Sequence, residues 1–216
     1  MLEAAVKILL VLNGKGGVGK TTTARNVAAA AAAAGLRVAT LDTDPQGTLT
    51  RWWQKRPDNA PAIDHYQDSL AEMSDPVEPL DGIDLLVIDT PTAIEMTAIR
   101  PNAEKLIDQA DLILTPLQAT PEDLESVRGT LTLVRSRGKA TTFVLNKVKP
   151  RVKEVTDARR GLAGGGEVAP VDLPDLAEVY RSYAAGLGVV EVTGAKSVED
   201  FVALWKYVAS KLGFKS

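Results

Sequence analysis

The chain has 216 residues, a formal net charge of −3 and a hydrophobic content of 45%. This length and composition are typical of a globular protein with a sizeable core, so we expect one domain over residues 1–216. Because the sequence contains no cysteine, disulfides, thiolate zinc sites and cysteine-bound iron–sulfur clusters are excluded. The one histidine, His65, cannot form a metal site by itself, and we expect it in a loop or at a strand edge.

The apolar runs of the sequence are short. The first run, Val6 to Leu12, has seven residues and leads directly into a glycine-rich loop. Crossing a bilayer requires about 18 to 20 apolar residues, and no run approaches that length. We therefore expect a cytoplasmic protein with no signal peptide and no stable association with membranes.

Short apolar runs alternate with helical segments, which is typical of a doubly wound α/β fold. We expect a mainly parallel sheet with helices on both faces, and Gly35 and Gly138 fit glycines just past helix ends. Six strands are predicted at Lys7–Leu12, Val38–Leu41, Leu85–Ile88, Leu112–Leu114, Thr142–Leu145 and Val168–Val171. Six helices are predicted at Lys20–Ala34, Ala98–Gln109, Pro121–Arg137, Val152–Leu162, Asp175–Gly186 and Val198–Leu212.

Two segments interrupt this alternation. Gln54–Asp81 is rich in prolines and acids and has no regular pattern. We interpret it as an insertion over one end of the sheet and not as a separate domain. Gly164–Gly166 predicts a flexible loop before the last strand.

A phosphate-binding loop follows the first strand. Residues 14–21 match the pattern G-x-x-x-x-G-K-[ST] at every fixed position, between a predicted strand and a predicted helix. In that context, backbone N–H groups and the helix N-terminus bind phosphate. Lys20 is expected to reach the β- and γ-phosphates, and the Thr21 hydroxyl to bind Mg²⁺. The predicted nucleotide-binding residues here are Gly14, Lys15, Gly16, Gly17, Val18, Gly19, Lys20, Thr21 and Thr22.

A second lysine, Lys15, lies inside this loop, although a plain phosphate-binding loop requires none at that position. Taken alone, it fits a solvated surface lysine as well as a residue that faces the phosphates.

Aspartates follow two further strands. Asp42 and Asp44 follow Val38–Leu41, and Asp89 follows Leu85–Ile88. Carboxylates at the carboxyl ends of parallel strands lie in the crevice that holds the ligand. We expect Asp89 to hold Mg²⁺ through water, and Asp42 and Asp44 to orient the attacking water and order their loop, with Asp42 acting on the metal only indirectly. Turn formation is the alternative role for these aspartates.

Three segments together, Lys15–Thr22, Asp42–Gly47 and Val87–Pro91, resemble the deviant-Walker P-loop ATPases of the ParA/MinD family. The likeness is greatest to the short ParA-type partition ATPases. It covers nearly the whole chain, but it is specific in the first 95 residues and diffuse after Thr120.

The resemblance implies how such an ATPase would work. ATP is held between two protomers, Lys15 reaches across to the partner's phosphates, and ATP binding thereby drives formation of a homodimer. Asp44 orients the hydrolytic water, so the implied catalytic residues are Lys15, Lys20 and Asp44. A ParB-like or adaptor protein stimulates slow hydrolysis, and the implied cofactors are ATP and Mg²⁺.

The base preference is predicted from the segment after the Thr142–Leu145 strand. Asn146–Lys149 is similar to the N-K-x-D element that reads guanine, but Lys149 replaces the aspartate that would accept from guanine. ATP is therefore favoured over GTP, and the family resemblance implies that Asn146 contacts adenine. The loop Asp172–Pro174 is a second candidate for the base pocket, with a turn as its alternative role.

The resemblance also implies that the ATP-bound dimer binds DNA without sequence preference and associates with the nucleoid. Such binding requires lysines and arginines that meet phosphates, and the net charge of −3 does not exclude a local basic patch. Arg181 is the first candidate, followed by Lys206 and Lys211. Further basic residues of the C-terminal third are Lys147, Lys149, Arg151, Lys153, Arg159, Arg160, Lys196 and Lys215.

Two alternatives to a DNA-bound positioning ATPase stay open. The segment Phe201–Phe214 is basic and amphipathic; we interpret its apolar stripe as a face packed on the sheet, and a MinD-like helix on a membrane surface is the alternative. A metabolic ATP-dependent enzyme on the same fold is the second alternative, and it would require a pocket for a small substrate.

Overall fold

The structure, a computed structural model, describes residues 5–73, 80–94, 98–149 and 153–214. Its sheet has seven strands in the order β3-β2-β4-β1-β5-β6-β7, and every strand pair is parallel. The strands are β1 (Lys7–Val11), β2 (Val38–Asp42), β3 (Ile63–Gln67), β4 (Leu85–Asp89), β5 (Leu112–Leu117), β6 (Thr142–Val148) and β7 (Glu167–Pro174). The helices are α1 (Lys20–Ala33), α2 (Thr48–Trp53), α3 (Arg100–Gln109), α4 (Pro121–Ser136), α5 (Lys153–Leu162), α6 (Ala177–Ala184) and α7 (Val198–Leu212), with a 3₁₀ turn at Val189–Glu191.

The predicted doubly wound α/β fold is confirmed, and all six predicted strands are present with ends that differ by a few residues. One strand, one α-helix and the 3₁₀ turn were not predicted. β3 lies inside Gln54–Asp81, so the interpretation of that segment as an insertion was wrong for residues 63–67, which form an edge strand. α2 follows the Asp42–Gly47 segment. The helix predicted from Val152 is described from Lys153 onward, because residues 150–152 lie outside the described ranges.

β1 lies at the centre of the sheet and sends alternate side chains to opposite faces. Leu9 and Val11 belong to the core that contains α1 and α7. Leu10 and Leu12 belong to the core that contains α3 and part of α4. Because the chain winds outward in both directions from β1, the loop after this strand lies at the point where the strand order reverses, which is where ligands bind in such sheets.

The alanine-rich helix α1 is buried along most of its length. Its small side chains allow close approach of the chain: a Cβ on Gly188 would lie 2.3 Å from the Cβ of Ala29. α7 packs beside it, and its apolar side chains are buried. The interpretation of this stripe as a core-packing face is confirmed; its members are Phe201, Leu204, Trp205, Val208 and Leu212. Among the described residues, no helix combines the length and apolar character needed to span a bilayer.

The chain just after α2 is bound to the segment before α7. Arg56 and Glu191 form an ion pair of 2.8 Å in which each side chain is 7% exposed. Arg56 also donates to the Gly186 carbonyl at 3.2 Å, and Gly186 has a φ of +69°. A Cβ on Gly186 would lie 2.3 Å from the carbonyl of Lys55, so only glycine allows this approach.

We expect Gly186→Ala to lower the free energy of unfolding by about 3 to 5 kcal/mol, because it adds a backbone clash to the cost of a positive φ. Gly194→Ala is the matched control: its φ is +76°, but no atom lies within 4 Å of the added Cβ. The control is expected to cost about 1 to 2 kcal/mol. Urea denaturation of both variants measures the difference, and equal losses would contradict the importance of the Lys55 contact.

Candidate functional site

The phosphate-binding loop connects β1 to α1 and is held in place by side chains from other elements. The Asn13 amide donates to the Pro116 carbonyl at 2.9 Å, and its oxygen accepts from the Lys15 N–H at 2.9 Å. The Gly14 N–H donates to the Thr130 hydroxyl at 3.0 Å. These hydrogen bonds attach the phosphate-binding loop to β5 through Pro116 and to α4 through Thr130.

Gly19 is the N-cap residue of α1 and has a φ of +97°. A Cβ at this position would lie 1.7 Å from the Asn146 amide nitrogen, which donates to the Val18 carbonyl at 3.0 Å. Lys20 is buried at the start of the helix, and its Nζ donates to the Lys15 carbonyl at 3.1 Å. The lysine therefore already lies inside the loop that is expected to hold phosphate.

Thr21 and Asp89 meet at the predicted metal position. The Thr21 hydroxyl donates to Asp89 Oδ2 at 2.6 Å, and Asp89 is 1% exposed. The second carboxylate oxygen, Oδ1, is buried and has no hydrogen-bond partner among the described residues. Hydroxyl and carboxylate oxygens are ligands that Mg²⁺ prefers, and an unpartnered buried oxygen suits a metal-bound water. These residues fit Mg²⁺ held jointly with phosphates, and no cluster of three or more acidic, histidine or cysteine side chains in the described ranges could hold a metal alone.

Burial raises the pKa of Asp89 from its ordinary 3.8 to about 7. The Thr21 hydrogen bond opposes this rise, while the nearby Asp42 carboxylate adds to it. Asp42 and Asp89 are register partners on β2 and β4, which explains their proximity.

Asp42 orders its own segment. One carboxylate oxygen accepts from the Thr50 N–H at 2.8 Å and the Thr50 hydroxyl at 3.0 Å, and the other accepts from the Asp44 N–H at 3.1 Å. Asp44 is half-buried and accepts from the Gln46 N–H at 2.9 Å. The contacts of Asp42 fit its expected role in ordering the loop, and the contact of Asp44 with Gln46 fits the alternative role in a turn. Asp44 is partly exposed to solvent.

Lys15 forms an ion pair with Asp123, a residue that sequence reasoning missed. Asp123 is 2% exposed, lies in the first turn of α4 and also accepts from the Gln118 N–H at 2.7 Å. The pattern Thr120-x-x-Asp123 could have marked the helix start, since the Thr120 hydroxyl accepts from the Asp123 N–H. No local signal pairs residues 108 positions apart.

Lys147 contacts the phosphate-binding loop. It is one of the basic residues that are candidates for DNA contact, and its Nζ donates to the Gly17 carbonyl at 2.9 Å. Its φ of +53° turns the chain toward the phosphate-binding loop directly after Asn146. Lys147 therefore supports the loop together with Asn146.

Two places remain candidates for the base. Asn146 contacts the loop backbone, as described above. Asp172 accepts from Arg159 at 2.6 Å, so the Asp172–Pro174 segment is bonded to α5.

A cavity of about 210 Å³ adjoins the start of α1; it is lined by Thr21, Thr22, Arg25, Thr48, Val179, Tyr180 and Tyr183.

The structure does not bring the three leading DNA candidates together. Arg181 is exposed on α6, which follows the carboxyl end of β7 and therefore lies at the same edge as the phosphate-binding loop. Lys206 lines a groove with the last residues of α1, at the other edge. Lys211 pairs with Glu167, the first residue of β7, at 2.6 Å. Of the remaining candidates, Arg151 and Lys215 lie outside the described residues.

We expect Asp89→Asn to stabilise the nucleotide-free protein, and the gain to grow with pH. The folded carboxyl keeps its proton up to about pH 7 whereas the unfolded one loses it near 3.8, so this group lowers stability progressively as pH rises between those values. The asparagine side chain of the variant does not titrate, so the variant does not lose this part of its stability as pH rises. Urea denaturation at pH 5 and pH 8 without Mg²⁺ tests this, and the same pH dependence in both proteins would contradict it.

Known proteins resemble this chain along most of its length. Residues 9–189 match the family model described as the CobQ/CobB/MinD/ParA nucleotide binding domain. The Maintenance of carboxysome distribution protein A of Gloeobacter kilaueensis is 33% identical over 215 residues, which are 95% of this chain and 94% of the relative. The chromosome-partitioning ATPase Soj of Thermus thermophilus is 30% identical over 160 residues, 61% of this chain and 62% of the relative.

A solved structure supports the fold. The septum site-determining protein MinD of Pyrococcus horikoshii, complexed with Mg-ADP, superposes with a TM-score of 0.72 at 15% identity, covering 94% of this chain and 96% of that one. The likeness at this identity concerns the fold alone. From the family match and the full-length relative we conclude that the chain belongs to the CobQ/CobB/MinD/ParA family of nucleotide-binding proteins.

Proposed function

We propose that this chain is an ATPase that forms an ATP-sandwich dimer, binds DNA without sequence preference in that state, and positions a cargo. The observation that carries the proposal is the second loop lysine, Lys15, in a phosphate-binding loop whose neighbouring strand ends supply Asp44 and Asp89. A cargo-bound partner protein, ParB-like or a smaller adaptor, stimulates slow hydrolysis and so releases the dimer from DNA.

The proposed chemistry is an in-line phosphoryl transfer to water, with no covalent enzyme intermediate. The loop N–H groups and Lys20 stabilise charge on the β- and γ-phosphates. Thr21 and, through water, Asp89 would hold Mg²⁺, which supplies further neutralisation of phosphate charge. Asp44 orients the attacking water from the half-exposed edge of the site, and Asp42 keeps the Asp44 backbone in place.

Lys15 supports the dimer because its position suits a group that changes partners. Its side chain is 34% exposed while the paired Asp123 carboxylate is 3% exposed, so only the lysine end of the pair is near the surface. In the proposed dimer Lys15 leaves Asp123 for the phosphates bound to the other protomer. The ATP-bound state therefore requires a partner protomer in a way that a plain phosphate-binding loop would not.

For the cargo, we favour a protein assembly over a plasmid or a chromosome. The relative that matches 95% of this chain bears the name of a protein that maintains carboxysome distribution, whereas the match to the chromosome-partitioning ATPase Soj covers 61%. Among the DNA candidates we keep Arg181 first, because Lys211 is paired with Glu167. A membrane-bound function is less favoured, because the apolar face of α7 is buried in the core.

The central prediction concerns nucleotide-dependent DNA binding. Wild-type protein is expected to bind DNA with ATP but not with ADP or without nucleotide. Lys20→Ala should abolish this binding because the phosphates lose their main cation, whereas Asp44→Ala should prolong it because hydrolysis no longer ends the bound state. Fluorescence anisotropy with a labelled random-sequence duplex, at fixed salt, measures all three proteins. DNA binding by wild type that ignores nucleotide would overturn the proposal.

A second prediction separates Lys15 from Lys20. Lys15→Ala should still bind ATP as a monomer, with an affinity within about threefold of wild type, since Lys20 and the loop amides remain. It should fail to dimerise with ATP, as measured by light scattering. Lys147→Ala is the control, because Lys147 also contacts the loop but only through the Gly17 carbonyl. If Lys15→Ala dimerised normally with ATP, the lysine would have no role across the interface.

A further inference from the structure

His65 lies in the edge strand β3 and faces the elements that form the nucleotide site. It is the register partner of Thr40 on β2, and its ring stacks on Trp53 of α2 with centroids 5.1 Å apart. Nδ1 lies 2.9 Å from the Thr40 hydroxyl, and Nε2 lies 2.9 Å from the Thr50 hydroxyl. Both ring nitrogens are therefore occupied by hydroxyl groups.

The contacts continue from Thr50 to the segment that carries Asp44. Thr50 donates to Asp42 through its hydroxyl at 3.0 Å and its N–H at 2.8 Å. The other oxygen of Asp42 accepts from the Asp44 N–H at 3.1 Å. The N-cap residue of α2 is Gly47, which has no side chain to cap the helix. Asp42 supplies the missing cap from β2, so the start of α2 depends on the position of this carboxylate.

The number of protons on these groups decides which atom donates in each hydrogen bond. A threonine hydroxyl has one proton, and that of Thr50 goes to the Asp42 carboxylate because a charged acceptor makes the stronger bond. The Thr50 oxygen then accepts, so Nε2 of His65 must donate. Burial lowers the pKa of His65, while the charge of Asp42 raises it. The ring is accordingly neutral near pH 7, and its Nδ1 carries no proton. The Thr40 hydroxyl therefore donates to Nδ1 at 2.9 Å in preference to the Asp64 carbonyl, which lies farther away at 3.2 Å.

We propose that His65 is a positioning residue for Asp44, acting as the neutral Nε2–H tautomer through Thr50 and Asp42. Each donor in the series points toward Asp42, and such a series strengthens its members. The inference rests on the proposed ATPase function, because Asp44 orients water only in that reaction. It assigns a role in catalysis to the one histidine of the sequence, at a sheet edge away from the phosphate-binding loop.

The tautomer can be observed directly. Because the sequence contains one histidine, ¹⁵N-histidine labelling gives ring signals from His65 alone. At pH 7 we expect the Nε2 signal in the range of a protonated ring nitrogen and the Nδ1 signal in the range of an unprotonated one. A doubly protonated ring or the Nδ1–H tautomer would overturn the proposed direction of the contacts.

Kinetics tests the positioning role. His65→Phe keeps a ring to stack on Trp53 but removes both nitrogens, and Thr50→Val removes the hydroxyl at nearly the same shape. Each variant is expected to lower kcat for ATP hydrolysis about tenfold, with KM for ATP changed by less than about twofold, because Asp44 shifts while the phosphate-binding loop does not. The double variant should be no slower than either single variant, since both break one series of bonds.

Two further variants sharpen the test. His65→Gln places an amide nitrogen near the Nε2 position, so it can donate to Thr50 and should recover most of kcat. Tyr66→Phe is the control, because Tyr66 is exposed and neighbours His65 on the opposite face of β3. It should match wild type. A kcat for His65→Phe and Thr50→Val equal to wild type would overturn the positioning role.

The outcomes separate this inference from the function on which it rests. If His65→Phe fails to fold, Thr50→Val alone decides the kinetic question. If DNA binding by the wild-type protein ignores nucleotide and no ATP is hydrolysed, the proposed function fails, while the ring signals of His65 still decide the tautomer. Active wild type with unaffected variants rejects the inference and leaves the function standing.

Discussion

The pairing of Asp42 with Asp89 is the constraint that shapes the nucleotide edge of the sheet. Parallel register places these two buried carboxylates side by side at the ends of β2 and β4. Two neighbouring buried charges are costly unless each accepts hydrogen bonds, and Asp42 and Asp89 differ in the donors that they have. Asp42 takes its donors from the protein, namely Thr50 and the Asp44 backbone. Among the described residues, Asp89 accepts a hydrogen bond from the Thr21 hydroxyl at one oxygen and none at the other, and burial raises its pKa. One carboxylate thus organises the backbone, and the other is suited to a cation brought by the ligand.

The two lysines of the phosphate-binding loop also have oxygen partners in the protein. Lys20 lies inside the loop against the Lys15 carbonyl, while the Lys15 side chain is drawn sideways to the buried Asp123. A buried carboxylate that loses its cation is expensive, so separating Lys15 from Asp123 costs free energy. Any binding event that takes Lys15 away must supply enough new interaction energy to offset that loss. The two lysines are close in sequence, but they contact different parts of the protein.

Much of this site could be predicted from local sequence, and the limits have physical reasons. Residues 14–21 and the aspartates at strand ends carry their signals within a few positions, so the fold class and the phosphate-binding loop were predictable. β3 was missed because it is an edge strand of which only Ile63 is buried, so its apolar signal is weak. α2 was missed because its cap comes from Asp42 and not from a neighbouring residue. The Lys15–Asp123 pair and the contact of Lys147 with Gly17 join distant parts of the chain, which no local pattern reveals.

The two attachments of α2 have a mechanical consequence. At its first turn the helix is bonded to Asp42 through Thr50, and just beyond its last turn Arg56 is fixed to Glu191 and Gly186. The six-residue helix is therefore attached at both ends, and it links the segment that carries Asp44 to residues 186–191. The same stretch contacts Arg25 of α1 through the Leu187 carbonyl at 2.9 Å. Because α1 begins at the phosphate-binding loop, the two sides of the nucleotide edge are joined to each other through α2 as well as through the sheet.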